Sequence, residues 1–585
     1  MKPGRQLEHF DNLVEMFLAR AREKGDAPFL WAKRDGEWRS ISWAEAERQV
    51  VALATGLKDM GLQPGDRVAL VSENRPEWLI ADLAIMAAGC VTVPTYTTNT
   101  TRDHAHILGN SGARAVIVSN QKLAKNLIPA VLTSAHCHHV IGMEEIRAGQ
   151  VPEWISVHCW PKLVAGEGDA AAVEARAGEM QRSDLACIIY TSGTGGAPRG
   201  VMQHHGAILH NIAGATDIIS TDFGWGDEVF LSFLPASHAL EHTGGQLFPI
   251  GLGAQIYYAE SLEKLGANIE EVRPTIMIVV PRLFEMLRAR ILKGLESSGA
   301  VSKYLFRRAL AIGADKSDGK LKPWNAPMDR FLELTLRRKL RAKVGGRTKA
   351  WVSGGAPLNP DVGIFFQSLG ITFLQGYGQT EAAPVISCNR PSVGIRLDTV
   401  GVPVKDTEVK IAGDGEIMVR GELVMHGYWR NPEETARVLS DDGWLATGDI
   451  GHLDDKGRIV ITDRKKDIIV NDKGENVAPQ RVEGMLTLQP EIAQAMVYGD
   501  RKPHLVGLLV PDPEIAGESD VQQRLSAAVD RVNSELSVLE RVRRFMVADA
   551  PFTVENEQLT PSMKIRRHVI TAAYGDRLEA LYRRT

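Results

Sequence analysis

Aromatic side chains are scarce: Phe, Trp and Tyr make up 6% of the 585 residues. So few flat rings argue against a nucleic-acid binder that works by base stacking. No basic excess compensates, because 68 Lys and Arg face 72 Asp and Glu, for a net charge of −4. Cysteine is scarcer still. Cys90, Cys137, Cys159, Cys187 and Cys388 are scattered, odd in number and without a CxxC pair. That usage argues against a disulfide framework and for a reducing compartment. A long apolar run is also missing. The longest uncharged stretch, from about Thr243 to Ala259, contains Gln246, Pro249, Gln255 and four glycines, a poor membrane span. Glu8 and Asp11 stand where a secretory signal needs apolar residues. A soluble cytoplasmic protein is the expectation, with a peripheral position at the inner membrane surface as its variant.

The neutral total hides an uneven distribution. Between Arg288 and Lys349 there are 17 basic and 5 acidic residues, a local charge of +12 that leaves −16 for the rest. His136-Cys137-His138-His139 invites a zinc reading. Adjacent residues on a strand point to opposite faces, however, so the four side chains do not converge without an unusual turn.

What is present is an ordinary globular balance, 44% apolar and 24% charged. At roughly 150 residues per domain, the length suggests about three to four domains or subdomains. Short apolar runs recur: Val68 to Val71, Ala115 to Val118, Cys187 to Tyr190, Phe230 to Leu234, Ile276 to Val280 and Ile371 to Leu374. Helix-like segments such as Trp43 to Met60 and Glu77 to Ala88 lie between many of them. Alternating strands and helices mean parallel-rich sheets covered by helices, with ligands at the carboxyl ends of the strands. After about Val400 the pattern changes. Glu416 to Gly421 and Arg458 to Thr462 alternate with tight turns and read as a small antiparallel, barrel-like subdomain. Past the charged run Asp463-Arg464-Lys465-Lys466-Asp467 comes a smaller α+β region. The expected class is therefore α/β: a large domain over 1–462, a linker at 463–467 and a small C-terminal domain over 468–585.

The strongest local signal is Ile188-Ile189-Tyr190-Thr191-Ser192-Gly193-Thr194-Gly195-Gly196-Ala197-Pro198-Arg199-Gly200. An apolar strand ends in hydroxyls and glycines, then an arginine. Glycines let backbone N–H groups approach an anion, hydroxyls add donors and Arg199 adds charge, which suits a phosphate cradle. It is not a Walker A loop, since Val201-Met202 stands where Lys-Ser/Thr is needed. The plain alternative is a glycine-rich turn. A second loop, Gln375-Gly376-Tyr377-Gly378-Gln379-Thr380-Glu381, offers a ring for stacking, a hydroxyl for a phosphate oxygen and a hard oxygen ligand for Mg²⁺. Ser353-Gly354-Gly355-Ala356-Pro357 and Thr447-Gly448-Asp449-Ile450-Gly451 are further loops. In the latter, Asp449 can accept both hydroxyls of a ribose.

In this order the loops resemble the adenylate-forming superfamily, over nearly the whole chain. The first loop is similar to that family's TSGTTGxPKGV signature. Pro235-Ala236-Ser237-His238 is similar to its histidine-bearing substrate motif, and Gly376 to Glu381 to its GYGxTE. Thr447 to Gly451 resembles its TGD motif, Asp463 to Lys466 its hinge, and Pro561-Ser562-Met563-Lys564 its catalytic-lysine motif. Gly195 replaces the usual second threonine and Arg199 the usual lysine, which keeps the charge but not the shape.

The resemblance implies roles residue by residue. Thr191, Ser192, Gly193 and Thr194 with Arg199 would hold the β,γ-phosphates of ATP. Gly355, Ala356 and Pro357 with Tyr377 would hold adenine. Asp449 and Arg464 would hold the ribose. Thr380 would contact the α-phosphate, Glu381 would bind Mg²⁺ and Lys564 would reach the reacting groups. Lys466 would be the hinge about which the small domain turns, bringing the loop at Gly474-Glu475-Asn476 to the site to admit coenzyme A.

Leu234 to Glu241, Arg273 to Glu285, the basic insertion and Gly474 to Pro479 look specifically like long-chain fatty acyl-CoA synthetases. In those, His238 would orient the carboxylate at the acyl-pocket entrance. Only 21 residues follow Lys564, so no fused carrier domain is expected and free coenzyme A is the expected acceptor. An aryl or medium-chain acid–CoA ligase and a fatty acyl-AMP ligase are the enzymatic alternatives. A silent acyl- or nucleotide-binding protein is the alternative from another class. Expected partners are a long-chain fatty acid, ATP and coenzyme A, with no nucleic acid. Residues 288–349, above all Arg337 to Lys343, are the candidate contact with anionic lipid, and a homodimer stays open.

Overall fold

Each of the six apolar runs forms a strand, and the computed structural model assembles them into two parallel-rich sheets. The structure describes residues 6–147, 151–191, 197–317, 320–473, 475–560 and 565–583. Ser192, Gly193, Thr194, Gly474 and Lys564 therefore lie outside the described residues.

The first sheet has seven strands in the spatial order Ser156–Cys159, His139–Gly142, Ala115–Val118, Arg67–Val71, Val91–Thr95, Leu185–Thr191, Arg199–His204. All neighbours are parallel except the last pair. The second sheet has nine strands. Its parallel centre runs through Phe373–Gly378, Ala350–Ser353, Ile276–Val279, Val229–Ser232, Gln255–Tyr258 and Pro28–Arg34. An antiparallel four-stranded sheet follows, made of Glu408–Ile411, Glu416–Arg420, Leu445–Leu453 and Ile459–Arg464. The C-terminal region builds a mixed three-stranded sheet, with the helices Pro479–Thr487, Val521–Glu535 and Arg567–Arg583. This is the α/β class with a small antiparallel unit and a small α+β region at the end.

Two strands run further than their apolar runs suggested. Phe373–Gly378 continues through the glycine–tyrosine–glycine motif because Val385–Cys388 pairs with it antiparallel. A side chain on Gly378 would sit 1.8 Å from the Pro384 carbonyl oxygen, so the close return of the chain demands glycine there. Ile459–Arg464 carries on to Arg464, which pairs with Asp449.

Local signals start the helices. The Ser42 hydroxyl caps Trp43–Asp59 by accepting the Glu45 N–H, and Thr100 with Asp103 forms a capping box on Thr101–Ser111. Packing then fixes them. Trp43 stacks on Phe29 with ring centroids 3.6 Å apart. Phe284 meets Phe373 at 4.6 Å and Phe366 at 5.0 Å, which fastens the helix Pro281–Glu296 to the second sheet. Truncating such a buried ring costs about 3–5 kcal/mol.

Within the basic insertion, Arg337 turns inward. Its Nε donates to the Ser368 carbonyl at 2.8 Å and Nη1 to Asp329 at 2.6 Å. Arg341 binds Glu333 at 2.5 Å. Two of the three arginines in the expected lipid-facing run Arg337 to Lys343 thus brace the insertion instead. In the histidine run, Cys137 is buried and His139 Nδ1 lies 3.1 Å from His158 Nε2 on the next strand. Burial lowers the affinity of both rings for a proton. Among the described residues no three His, Cys, Asp or Glu gather as a metal site. Nor is any described helix long and apolar enough to cross a membrane.

Candidate functional site

The carboxyl ends of strands from both large sheets converge with the end of the four-stranded sheet. Thr191 and Arg199 face each other across an antiparallel pair, so the two flanks of the expected phosphate loop are held together. A Cβ on Gly200 would lie 2.6 Å from Ile188, which keeps that position small. Arg199 does not point into empty space. Its Nη1 is 2.7 Å from Glu434 Oε2, and its guanidinium stacks 4.5 Å from the Tyr428 ring centroid. The Tyr428 hydroxyl donates to Glu381 Oε1 at 2.8 Å. Burial first, and then the Glu381 charge, hold that phenol protonated. The arginine expected at the phosphates and the carboxylate expected to bind the metal are thereby coupled through one tyrosine.

Thr380 and Glu381 open a short 3-10 turn, Thr380–Ala382, and both are half-buried. Gln203, from the strand after the phosphate loop, donates its Nε2 to the Thr380 carbonyl at 2.7 Å. This ties the two motifs together through an amide. Glu381 suits a hard cation that keeps most of its waters: it is a half-buried carboxylate with one oxygen already oriented by Tyr428.

Where adenosine is expected, Ser353 pairs with Gln375 across parallel strands, which puts Gly355, Ala356 and Pro357 beside the tyrosine motif. These three residues are exposed, whereas the Tyr377 ring is buried. The Tyr377 hydroxyl donates to Asp449 Oδ2 at 2.7 Å, and Arg464 Nε donates to Asp449 Oδ1 at 3.1 Å. Burial and the neighbouring Asp449 charge keep the Tyr377 phenol protonated, so it acts as the donor. Asp449 is oriented further from below: its N–H reaches Thr447 Oγ1 at 3.1 Å, and Thr447 in turn donates to the Ile417 carbonyl at 2.8 Å.

On the acid side, His238 caps the short helix Ala239–Glu241, its Nδ1 accepting the Leu240 N–H at 3.2 Å. Asn74 fixes the preceding loop by donating to the Leu234 carbonyl at 2.5 Å and accepting the Ala236 N–H at 3.0 Å. Beside it, Leu234, Leu240 and Ile278 form an apolar cluster with Phe233, Val280 and Val352. Behind lies a buried polar layer. Ser232 donates to Glu241 Oε1 at 2.6 Å, and Tyr258 donates to Gln246 Oε1 at 2.8 Å. Burial pushes the Glu241 carboxyl up to about 8, against the bonds from Ser232 and Gln246. His242 Nε2 lies 2.8 Å from Asp82 Oδ2, both fully buried. Burial opposes charge on that imidazole, but Asp82 outweighs it and raises His242 to about 10.

At the linker, Lys465 reaches back to Asp414 at 2.6 Å and Glu416 at 2.8 Å. Lys466 is exposed in the turn that follows. The flanks of the Lys564 segment are joined by a bridge between Leu559 and Ile565.

Several of these residues carry no motif on their own. Tyr428 and Glu434 had a findable signal: Asn431-Pro432 is an N-cap followed by proline at the first helical position, here starting Pro432–Val438. Asp82 is the one charged residue in the apolar run from Trp78 to Ala87 of the helix Pro76–Ala87, a pattern that asks for a buried partner.

Comparison with known proteins decides the family. The AMP-binding enzyme family matches residues 17–429, and the AMP-binding enzyme C-terminal domain matches residues 466–585. The chain belongs to the AMP-binding enzymes. Among relatives of this AMP-binding enzyme, the long-chain-fatty-acid–CoA ligase FadD15 of Mycobacterium tuberculosis is 33% identical over 98% of this chain and 97% of its own. The chloroplastic long-chain-fatty-acid–[acyl-carrier-protein] ligase AEE15 of Arabidopsis thaliana is 28% identical over 93% of this chain and 82% of its own. Among solved structures, the A domain of the carboxylic acid reductase of Segniliparus rugosus, bound to AMP and a co-purified carboxylic acid, superimposes with a TM-score of 0.75. It covers 98% of this chain and 94% of its own at 22% identity, a likeness of fold.

Proposed function

We propose that this AMP-binding enzyme is an acid–thiol ligase that joins a long-chain fatty acid to coenzyme A. A carboxylate oxygen attacks the α-phosphorus of ATP, and pyrophosphate leaves. The thiol sulfur of coenzyme A then attacks the acyl carbonyl, AMP leaves, and the thiol proton is lost to solvent. The observation that carries this reading is the meeting of the Tyr377–Asp449–Arg464 chain with the Arg199–Tyr428–Glu381 chain, beside an apolar cluster at His238.

Asp449 and Arg464 hold the ribose, and the loop Gly355-Ala356-Pro357 with Tyr377 holds adenine. Thr191, Ser192, Gly193, Thr194 and Arg199 receive the β,γ-phosphates, with Glu434 releasing Arg199 as they arrive. Thr380 contacts the α-phosphate, and Lys564 offsets the charge that develops there. Mg²⁺ held by Glu381 would offset charge on the phosphate oxygens. His238 orients the carboxylate, and the Leu234–Leu240–Ile278 cluster receives the start of the alkyl chain.

The division into 1–462, a hinge at 463–467 and 468–585 suits two half-reactions at one site, the small domain turning about Lys466 so that Gly474 approaches the thiol path. Lys466→Pro should slow thioester formation at least tenfold and leave adenylation nearly intact; equal loss of both counts against the hinge.

The full-length similarity to FadD15 favours long-chain acids and coenzyme A, while the similarity to AEE15 keeps an acyl-carrier protein as the second acceptor. Pyrophosphate release across fatty acids of graded length, with and without coenzyme A, tests both. Turnover restricted to aryl or short acids would overturn the acid assignment. Adenylate accumulating unchanged by coenzyme A would overturn the acceptor.

A further inference from the structure

The basic insertion exposes large apolar side chains in an unusual concentration. Val301 is 72% exposed, Tyr304 56%, Trp324 73%, Phe331 48% and Leu334 63%. Val301 and Tyr304 lie one turn apart on the helix Ala300–Ser317. Trp324 stands in the 3-10 turn Pro323–Asn325, Phe331 on the helix Ala326–Leu332 that follows it, and Leu334, three residues on, in the π-helical continuation Glu333–Arg337. The two groups are linked where Arg308 Nη2 donates to Asn325 Oδ1 at 3.2 Å. The opposite sides of these helices are satisfied: Ala309, Ile312 and Leu332 form a buried cluster between them.

The charges around this face are one-sided. Asp329 and Glu333 are consumed by Arg337 and Arg341. Arg307, Arg330, Arg338 and Lys339 are exposed, and no ion pair joins them to a carboxylate among the described residues. Aromatic and aliphatic anchors set among cations are what the interface of an anionic bilayer selects.

We propose that this face rests on an anionic lipid bilayer, with Trp324, Phe331 and Leu334 inserted among the headgroups and Arg330 and Arg338 on lipid phosphates. A second copy fits poorly, because a two-fold contact would set the same cations against each other. The position suits the acid. Helix Pro281–Glu296 begins at the Val280 edge of the Leu234–Leu240–Ile278 cluster and spans about 24 Å toward the insertion. Docking here brings the acid's entry side within one helix length of the phase in which long alkyl acids dissolve. The proposal deepens the long-chain reading and rests on it for its purpose, not for its physics.

The test is co-sedimentation of the full-length protein with vesicles of phosphatidylcholine alone or mixed with phosphatidylglycerol, without acid or ATP. The wild type should sediment with the anionic vesicles, less as salt rises. Each cation near such a surface is worth about fivefold in partitioning, so Arg330→Glu with Arg338→Glu should lower binding at least tenfold. Trp324→Ala with Phe331→Ala should lower it even at low salt, and Trp324→Phe should remove a blue shift of tryptophan emission seen on binding. All these side chains are exposed, so melting temperature and turnover of a short, water-soluble acid should not change. Absence of vesicle binding, or binding that ignores both double variants, overturns the proposal. So does a doubling of mass in light scattering that depends on this face without vesicle binding, which would make it a contact between copies. Failure to turn over long acids with vesicle binding intact would sink the substrate assignment and leave the docking face standing.

Discussion

At the proposed nucleotide end, Tyr377 and Arg464, near the ends of their strands, meet Asp449, and the guanidinium is 43% exposed; behind the proposed acid end, Asp82 and His242 are at 0%. The two regions use similar residue types toward opposite ends. A charge left near water is cheap to hold and stays available to a ligand. A charge shut away is costly, reaches no substrate, and holds shape only while its partner remains. Substitutions at the first should therefore cut turnover and spare stability, and at the second the reverse.

The sharpest way to break this contrast is Asp82→Ala. It strands His242 in an apolar surround, and the expected loss is about 3–5 kcal/mol of unfolding free energy by chemical denaturation. A loss below about 1 kcal/mol would mean that the pair is not what keeps the helix Pro76–Ala87 on its neighbour.

Glu241 supplies a pH-dependent version of the same test. Its folded value of about 8 lies above the ordinary carboxylate range. The native state therefore holds a proton that the unfolded chain gives up. Its contribution is fully present below about pH 4.5 and is lost as pH rises through about 8. Glu241→Gln should flatten roughly 3–4 kcal/mol of stability change between pH 5 and 8.5, read as the difference between wild-type and variant denaturation curves. Parallel curves would show that the carboxyl ionises without penalty.

At the nucleotide end, Asp449→Asn should lower kcat/KM for ATP in ATP–pyrophosphate exchange by about 100-fold. Stability should stay within about 1 kcal/mol of wild type. If melting falls along with activity, the two ends do not differ as described. The smallest effect belongs to Tyr428→Phe, which keeps the ring on Arg199 but removes the bond to Glu381. A loss of about 0.5–1.5 kcal/mol corresponds to a several-fold rise in the Mg²⁺ concentration for half-maximal rate, measured by titration at fixed ATP.

Much of the fold was legible because it is local. The apolar runs at Val68 to Val71, Ala115 to Val118 and Ile276 to Val280 became strands of parallel sheets, and the change of pattern past Val400 became an antiparallel unit. The motif residues Arg199, Tyr377, Glu381 and Asp449 are brought to one region. Their partners were not legible, since pairing across the chain leaves no local trace. Arg199 meets Glu434 at a separation of 235 residues, Tyr377 meets Asp449 at 72, and Asp82 meets His242 at 160. Tertiary pairing also lengthened the strand Phe373–Gly378 beyond its apolar run and turned Arg337 inward, because a guanidinium near three carbonyl or carboxylate groups is better satisfied there than in water.

Arg464 and Lys465 have one more consequence. Arg464 grips Asp449 and ends a strand of the four-stranded sheet, and Lys465 is tethered to Asp414 and Glu416 of the same unit. The next residue, Lys466, is exposed in the turn that follows. The proposed axle at Lys466 is bolted to the proposed ribose clamp by its two preceding residues. On the proposed rotation the small domain would swing through a large arc while the clamp stays still, so an acyl-adenylate made in one orientation need not be let go before the other is reached.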